Sequence, residues 1–342
     1  EMTEENWSQQ GKLFKPRDAK LFKPRNSLGN TGGQFYIAKN PTYGAVFTYH
    51  LSDVPSTSKS KRMRSERILN KDMKDIPFPG YEALAAEMEE KSASIILTIK
   101  DSDGNHIRNI KKTASKGSGK IAWNLRHKSY YPVRAGRSQS SWYYNPSGPY
   151  VTPGEYHAEL FMEKDGTVEK LDGPISFNVK PLRKGTLQGS SYDEYNSFRT
   201  KLSSLYIDIS KYEDEFRLMD NKIQILEKAA MQLETFSPEM LKKIADMKNK
   251  YNKLELEYES NPARDEIGEW DKVTLSTRIR IAMQGLSTSY GPTELNISNL
   301  DIAQKMFNDY KVVIESLKSE LENLEKEVKD LNPPHISGSG IN

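Results

Sequence analysis

The stretch "LTIKDSDGNHIRNI", Leu97–Ile110, decides how the first half of the chain is read. Asp101-Ser102-Asp103-Gly104-Asn105 crowds oxygen-bearing side chains around a glycine, which suggests a calcium loop. An EF-hand loop needs its glycine at position 6 and a bidentate Glu at position 12. Counting from Asp101, position 6 is His106, position 12 is Lys112 and the glycine falls at 4. A hairpin fits better. Asp-Gly and Gly-Asn tolerate the positive φ of tight turns, Ile95, Leu97 and Ile99 alternate before the bend, and Ile107 and Ile110 follow it. The loop is read as a bend between two strands.

Working outward, further strand signals fall at Ile121–Leu125, Tyr156–Met162, Thr167–Leu171 and Ile175–Val179. Gly117-Ser118-Gly119, Pro153-Gly154 and Asp165-Gly166 separate them. Short alternating strands at this spacing predict an antiparallel β-sandwich over 92–181, with Trp123 as its core aromatic. The excursion from His127 to Tyr150 is rich in Tyr, Trp, Ser, Gly and Pro. Its aromatic side chains Trp142, Tyr143, Tyr144 and Tyr150 are candidate contacts for a glycan or a partner, because aromatic rings stack on apolar faces.

Upstream, residues 1–53 read as extended chain ending in a strand. "KLFKPR" occurs at Lys12–Arg17 and again at Lys20–Arg25, and each Lys-Pro step favours extended backbone. Ala45, Phe47 and Tyr49 alternate with Val46, Thr48 and His50, a strand apolar on both faces. Residues 54–91 read as a polar linker or short exposed helix carrying Lys59, Lys61, Arg62, Arg64 and Arg67.

Downstream of Pro181 the period changes. From Tyr195, the positions Phe198, Leu202, Leu205, Ile209, Tyr212, Phe216, Met219, Ile223, Leu226, Ala230 and Leu233 follow a 3-4 heptad spacing. A helix over 192–235 would run roughly 65 Å at 1.5 Å per residue. Ser237-Pro238-Glu239 starts a second helix. A third is expected over Asp265–Leu286, with Ile267, Trp270, Val273 and Ile279 inward. A fourth carries Met306, Tyr310, Val313, Leu317, Leu321, Leu324, Val328 and Leu331. Together they predict a long antiparallel, coiled-coil-like bundle over 190–332, followed by a flexible tail at 333–342.

Composition limits the function classes. The 342 residues carry 50 basic and 47 acidic side chains, a net charge of +3 that argues against nucleic-acid binding. No apolar run approaches the ~20 residues of a membrane span. With no cysteine, disulfide and thiolate chemistry are excluded. The five histidines are scattered and lack the spacing of a helical zinc site. Walker, G-x-S-x-G and G-x-G-x-x-G motifs are missing. Asp101, Glu155 and Asp172 sit at turns, where carboxylates serve the backbone. No catalytic residue, metal ligand or cofactor is assigned.

The order of "NPTYGAVFTYHLSD", "SASIILTIKDSDGNHIRNI", "GKIAWNLRHKSYYP" and "YVTPGEYHAELFMEKDG", followed by a helical tail, resembles the C-terminal region of bacterial sortilin-like, BNR-repeat β-propeller proteins. These proteins are often labelled glycosyl hydrolases. Leu97, Ile99, Asp101, Gly104, Ile107, Arg108, Trp123, Asn124, Leu125, Pro153, Gly154, Glu155 and Tyr156 also resemble the Ig-like domain of flagellar hook-capping proteins. The resemblance implies export to the periplasm, cell surface or medium, and an N-terminal propeller outside these residues that the segment 1–53 completes or packs against. It implies a non-enzymatic interaction module whose partners are that propeller and other envelope proteins. The alternatives are an accessory part of a carbohydrate-active or peptidase-like enzyme with its site in the propeller, and glycan binding by the 127–150 loop.

Overall fold

The computed structural model describes residues 3–24, 38, 40–133, 148–183, 185 and 187–334. They form two compact units. One holds the described residues up to Ser129 and those of 147–186, and the other holds 130–133 and the residues from Leu187 on.

The first unit contains two sheets. Strands β1 (Gly11–Leu13), β3 (Ala45–Leu51) and β6 (Gly117–Trp123) form an antiparallel sheet of order β1-β3-β6. The second sheet has the order β2-β8-β7-β4-β5, from β2 (Ala19–Leu21), β8 (Thr167–Pro181), β7 (Gly154–Lys164), β4 (Ser94–Asp101) and β5 (His106–Thr113). Its β2–β8 pair is parallel and the other pairs are antiparallel. Both sheets turn apolar residues into one core containing Phe47, Tyr49, Ile95, Leu97, Trp123, Leu160 and Phe177. Phe47 and Phe177 meet edge to face at 5.1 Å, and Trp123 and Tyr156 lie 5.2 Å apart. A short helix α1 (Glu4–Ser8) places Trp7 against His50, with ring centroids 4.1 Å apart.

Between β3 and β4 the chain makes a helical hairpin, α2 (Ser58–Lys71) and α3 (Tyr81–Glu89). Thr57 caps α2 by accepting from the Ser60 amide.

In the second unit, α4 (Tyr192–Ala230) is followed by α5 (Pro238–Tyr258), α6 (Pro262–Glu266), α7 (Leu275–Gln284), a 3-10 turn (Gly285–Ser287) and α8 (Glu294–Asp330). Capping boxes at Ser191/Glu194 and Thr293/Asn296 start the two longest helices. The cross-helix pairs fix directions. Tyr212–Glu315, Glu215–Lys318 and Lys222–Glu325 are all separated by 103 residues, so α4 and α8 run parallel. Glu213–Tyr258 and Asp220–Lys248 make α5 antiparallel to α4, and Lys243–Glu327 with Lys250–Glu320 make it antiparallel to α8. Arg278 donates to Asn299, and Asn296 donates to the Ile281 carbonyl, so α7 is also antiparallel to α8. Thus α5 and α7 follow each other along α8 in one direction, interrupted by residues 259–274.

The fold expected from the sequence does not hold. The β part is not an Ig-like antiparallel sandwich confined to 92–181. β6 pairs with β3 from Ala45↔Trp123 to Leu51↔Gly117, and β2 adds a parallel strand. The N-terminal strands complete these sheets, not a propeller blade. Period-2 alternation marks a strand but not its partner, so β6 was grouped with its sequence neighbours. The helical part is not a four-helix antiparallel bundle either, because its two longest helices are parallel. At Asn261-Pro262 the helical pattern breaks, and the chain loops out and resumes the same direction.

Candidate interaction surface

The expected contacts Trp142, Tyr143 and Tyr144 lie outside the described residues, as does the tail 335–342. Tyr150 is described. It forms an isolated antiparallel bridge with Arg126, and the Arg126 guanidinium lies over its ring at 3.7 Å. Arg126 also donates to the Gly148 carbonyl at 3.1 Å, while its own carbonyl accepts from the Trp123 indole at 2.9 Å. Phe22 packs edge-on to Tyr43 at 4.9 Å, and burial pushes the Tyr43 hydroxyl up to about 12. One face of the Tyr150 ring is therefore taken up by a cation of the chain itself. At the start of the 127–150 excursion, Tyr130 and Tyr131 stack at 5.1 Å and both meet Tyr206.

Two of the carboxylates singled out in the sequence, Asp101 and Asp172, are engaged with backbone or lysine. Asp101 accepts from the Asp103 and Asn105 amides within its own turn. Asp172 accepts from the Leu13 and Gly173 amides, each at 2.8 Å, and pairs with Lys12. Buried Glu159 lies between Lys100 and Lys170, each at 2.6 Å. His50 faces Ser118, His157 faces Ser176, and His106 faces Asn109. Among the described residues, no group of three or more His, Asp or Glu side chains gathers as metal ligands.

The α2–α3 hairpin has a different character. Neither helix contains a buried residue. Arg62 holds the two together, donating to Glu66 at 2.6 Å and to Glu87 at 2.7 Å. The Arg62 guanidinium keeps the Glu87 carboxyl below its ordinary range. Glu90 ties the hairpin to the body by accepting from the Ser58 amide and pairing with Lys164 on β7. The tip "DMKDIPFPGY", Asp72–Tyr81, presents Met73 at 96% exposure, Phe78 at 63% and Tyr81 at 83%, with the Phe78 and Tyr81 rings 5.1 Å apart. Pro77 and Pro79 restrict this tip, so ordering it against a partner costs less entropy. α2 itself carries six basic residues against one acidic. Lys61, Arg64, Arg67 and Lys71 are exposed and form no ion pair among the described residues.

The second unit has an exposed apolar feature of its own. The segment 259–274 holds Ile267 and Trp270, with Trp270 96% exposed. The sequence pattern pointed both inward as part of a helix over Asp265–Leu286. Only Leu275–Gln284 of that span joins α7, and the apolar pair lies before it. Beside this segment runs a groove between α5, α7 and α8 of about 240 Å3, lined by apolar Val273, Leu275, Met306 and Val313, by Tyr258 and Tyr310, and by the charged side chains of Glu257, Asp309 and Lys272.

Reading 54–91 as a polar linker or short exposed helix missed the hairpin tip. The available signal was Met73, Ile76 and Phe78 placed in a Pro-Gly turn without any periodic companions. No helix among the described residues is long and apolar enough to cross a membrane. No family model matches the chain, and no curated protein matches it.

Proposed function

We propose that the chain is a non-enzymatic structural and protein-interaction module of an exported bacterial envelope protein, and that the α2–α3 hairpin is its contact element. The observation that carries this reading is the hairpin tip. Met73, Phe78 and Tyr81 are held in water on a two-helix stem that buries nothing of its own. Exposed clusters of large apolar residues mark binding surfaces, and Tyr, Phe, Met and Arg are the residues enriched in such contacts. The likeness to the C-terminal region of sortilin-like propeller proteins supports envelope partners, including such a propeller.

The test compares the chain with Phe78→Ser/Tyr81→Ser in capture from envelope extract. Partners of the parent chain should be lost from the variant, while its thermal midpoint stays the same. Unchanged capture would remove the hairpin from the contact. Turnover of an aryl glycoside or a peptide by the purified chain above buffer would refute the non-enzymatic reading.

A further inference from the structure

Resting on the hairpin being a contact element, we infer that one of its partners is a second copy of this chain. In this contact the hairpin of one molecule docks on the 255–273 segment of another, beside the α5–α7–α8 groove.

Charge complementarity carries the inference. Residues 255–273 contain seven acidic residues against two basic, Arg264 and Lys272. α2 contains six basic residues against one acidic. The chain as a whole is nearly balanced at +3, so these are opposed concentrations of charge rather than samples of a mixed surface. Both are available. Glu255, Glu257, Glu259, Glu266 and Glu269 are exposed and, like Lys61, Arg64, Arg67 and Lys71, form no ion pair among the described residues. Elsewhere in the second unit, opposite charges find each other across helices, as in Lys222–Glu325 and Lys318–Glu215.

The apolar parts match as well. Each charged surface carries large side chains in water: Met73, Phe78 and Tyr81 on the hairpin, Ile267 and Trp270 on the acidic segment. The groove beside that segment offers Val273, Met306 and Val313 to an inserted ring. An apolar centre with a charged rim is the ordinary anatomy of a protein interface. The apolar tip also carries Asp72, which pairs with Lys74 at 3.8 Å, and Asp75, a net negative charge that an anionic lipid surface would repel and a protein rim containing Lys272 would accept. Such a contact joins unlike surfaces, so each copy keeps one donor and one acceptor face. Association then continues into rings or open chains.

Sedimentation velocity over a concentration series tests this. The weight-average mass should rise above that of the monomer at about 0.01 M salt. It should fall back at about 1 M, where the screening length drops from about 30 Å to about 3 Å. Arg64→Glu/Arg67→Glu/Lys71→Glu should remain monomeric at low salt, as should Glu257→Lys/Glu266→Lys/Glu269→Lys. Their equimolar mixture should associate again, because each variant supplies the complement of the other. The inference is overturned by a parent chain that stays monomeric throughout, by association that survives both reversals, or by a mixture that stays monomeric. A monomeric parent chain that still loses envelope partners on Phe78→Ser/Tyr81→Ser would sink self-docking alone and leave the contact role of the hairpin standing.

Discussion

Glu159 is a buried carboxylate of the five-stranded sheet. It sits on β7 where the register with β8 shifts between Ala158 and Leu160. Hydrogen bonds from Lys100 and then Lys170 lower its pKa, outweighing the opposite effect of burial. A carboxylate with a depressed folded-state pKa stabilises the fold above its unfolded value of about 4.3 and loses that stabilisation as pH falls. Glu159→Gln should therefore cost roughly 2 kcal/mol at neutral pH, the size of a charged hydrogen bond lost from a buried site. The gap between parent and variant should narrow as urea titrations are repeated from pH 7 down to pH 3, and a gap that stays constant over that range would refute the electrostatic account. Gly44 tests the same unit sterically. Its φ is +104°, and a Cβ would stand 1.9 Å from the Trp123 carbonyl oxygen, which is backbone and cannot move aside. Gly44→Ala should cost about 2–3 kcal/mol or more, combining strain with that clash. Gly104 is also at positive φ, but a Cβ there meets nothing within 4 Å. Alanine at 104 should cost about 1 kcal/mol, from the backbone alone.

At the level of elements, the legible features were those set by local period. The α4 seam Phe198, Leu202, Leu205 and Ile209 is buried, and Leu97–Ile110 forms the β4–β5 hairpin. Even so, period alone slipped by one residue in α8, where Phe307 and Ile314 face the core while Met306 is only partly buried and Val313 is exposed. Two apolar neighbours at each point left the choice of seam to tertiary packing. What was not legible is pairing. The constant offset of 103 residues that makes α4 and α8 parallel is a relation between distant side chains, and no local signal contains it. The same holds for the hairpin tip, which the reading of 54–91 passed over, and for Ile267 and Trp270 of the acidic segment, which looked like core and are exposed. Ile314 is fully buried on α8, so Ile314→Ala should cost about 2–5 kcal/mol. Met73→Ala, on a side chain already in water, should stay within about 0.5 kcal/mol. Chemical denaturation of both variants checks this, and a large cost at Met73 would mean that the hairpin packs on something in the folded state.

On the scale of the whole molecule, the near-neutral charge and the even spread of apolar residues conceal two separate solutions to burial. One core, around Trp123, Phe47 and Leu160, draws on both sheets. The other, around Leu202, Ile279 and Ile314, draws on the helices, and no residue belongs to both clusters. A substitution in one core removes contacts only within that cluster, and sites without shared partners contribute independently. Calorimetry should accordingly resolve two unfolding steps. Gly44→Ala should lower the midpoint of one step and Ile314→Ala that of the other, each leaving its counterpart within about a degree. Conversely, if either substitution shifted both midpoints together, the two units would be unfolding as one cooperative body. The charges of α2 and of 255–271 lie outside both cores, so reversing them should move neither midpoint by more than a substitution on an ordinary surface, about 0.5 kcal/mol per site. That insensitivity is what allows the charge-reversed chains to report on association rather than on folding.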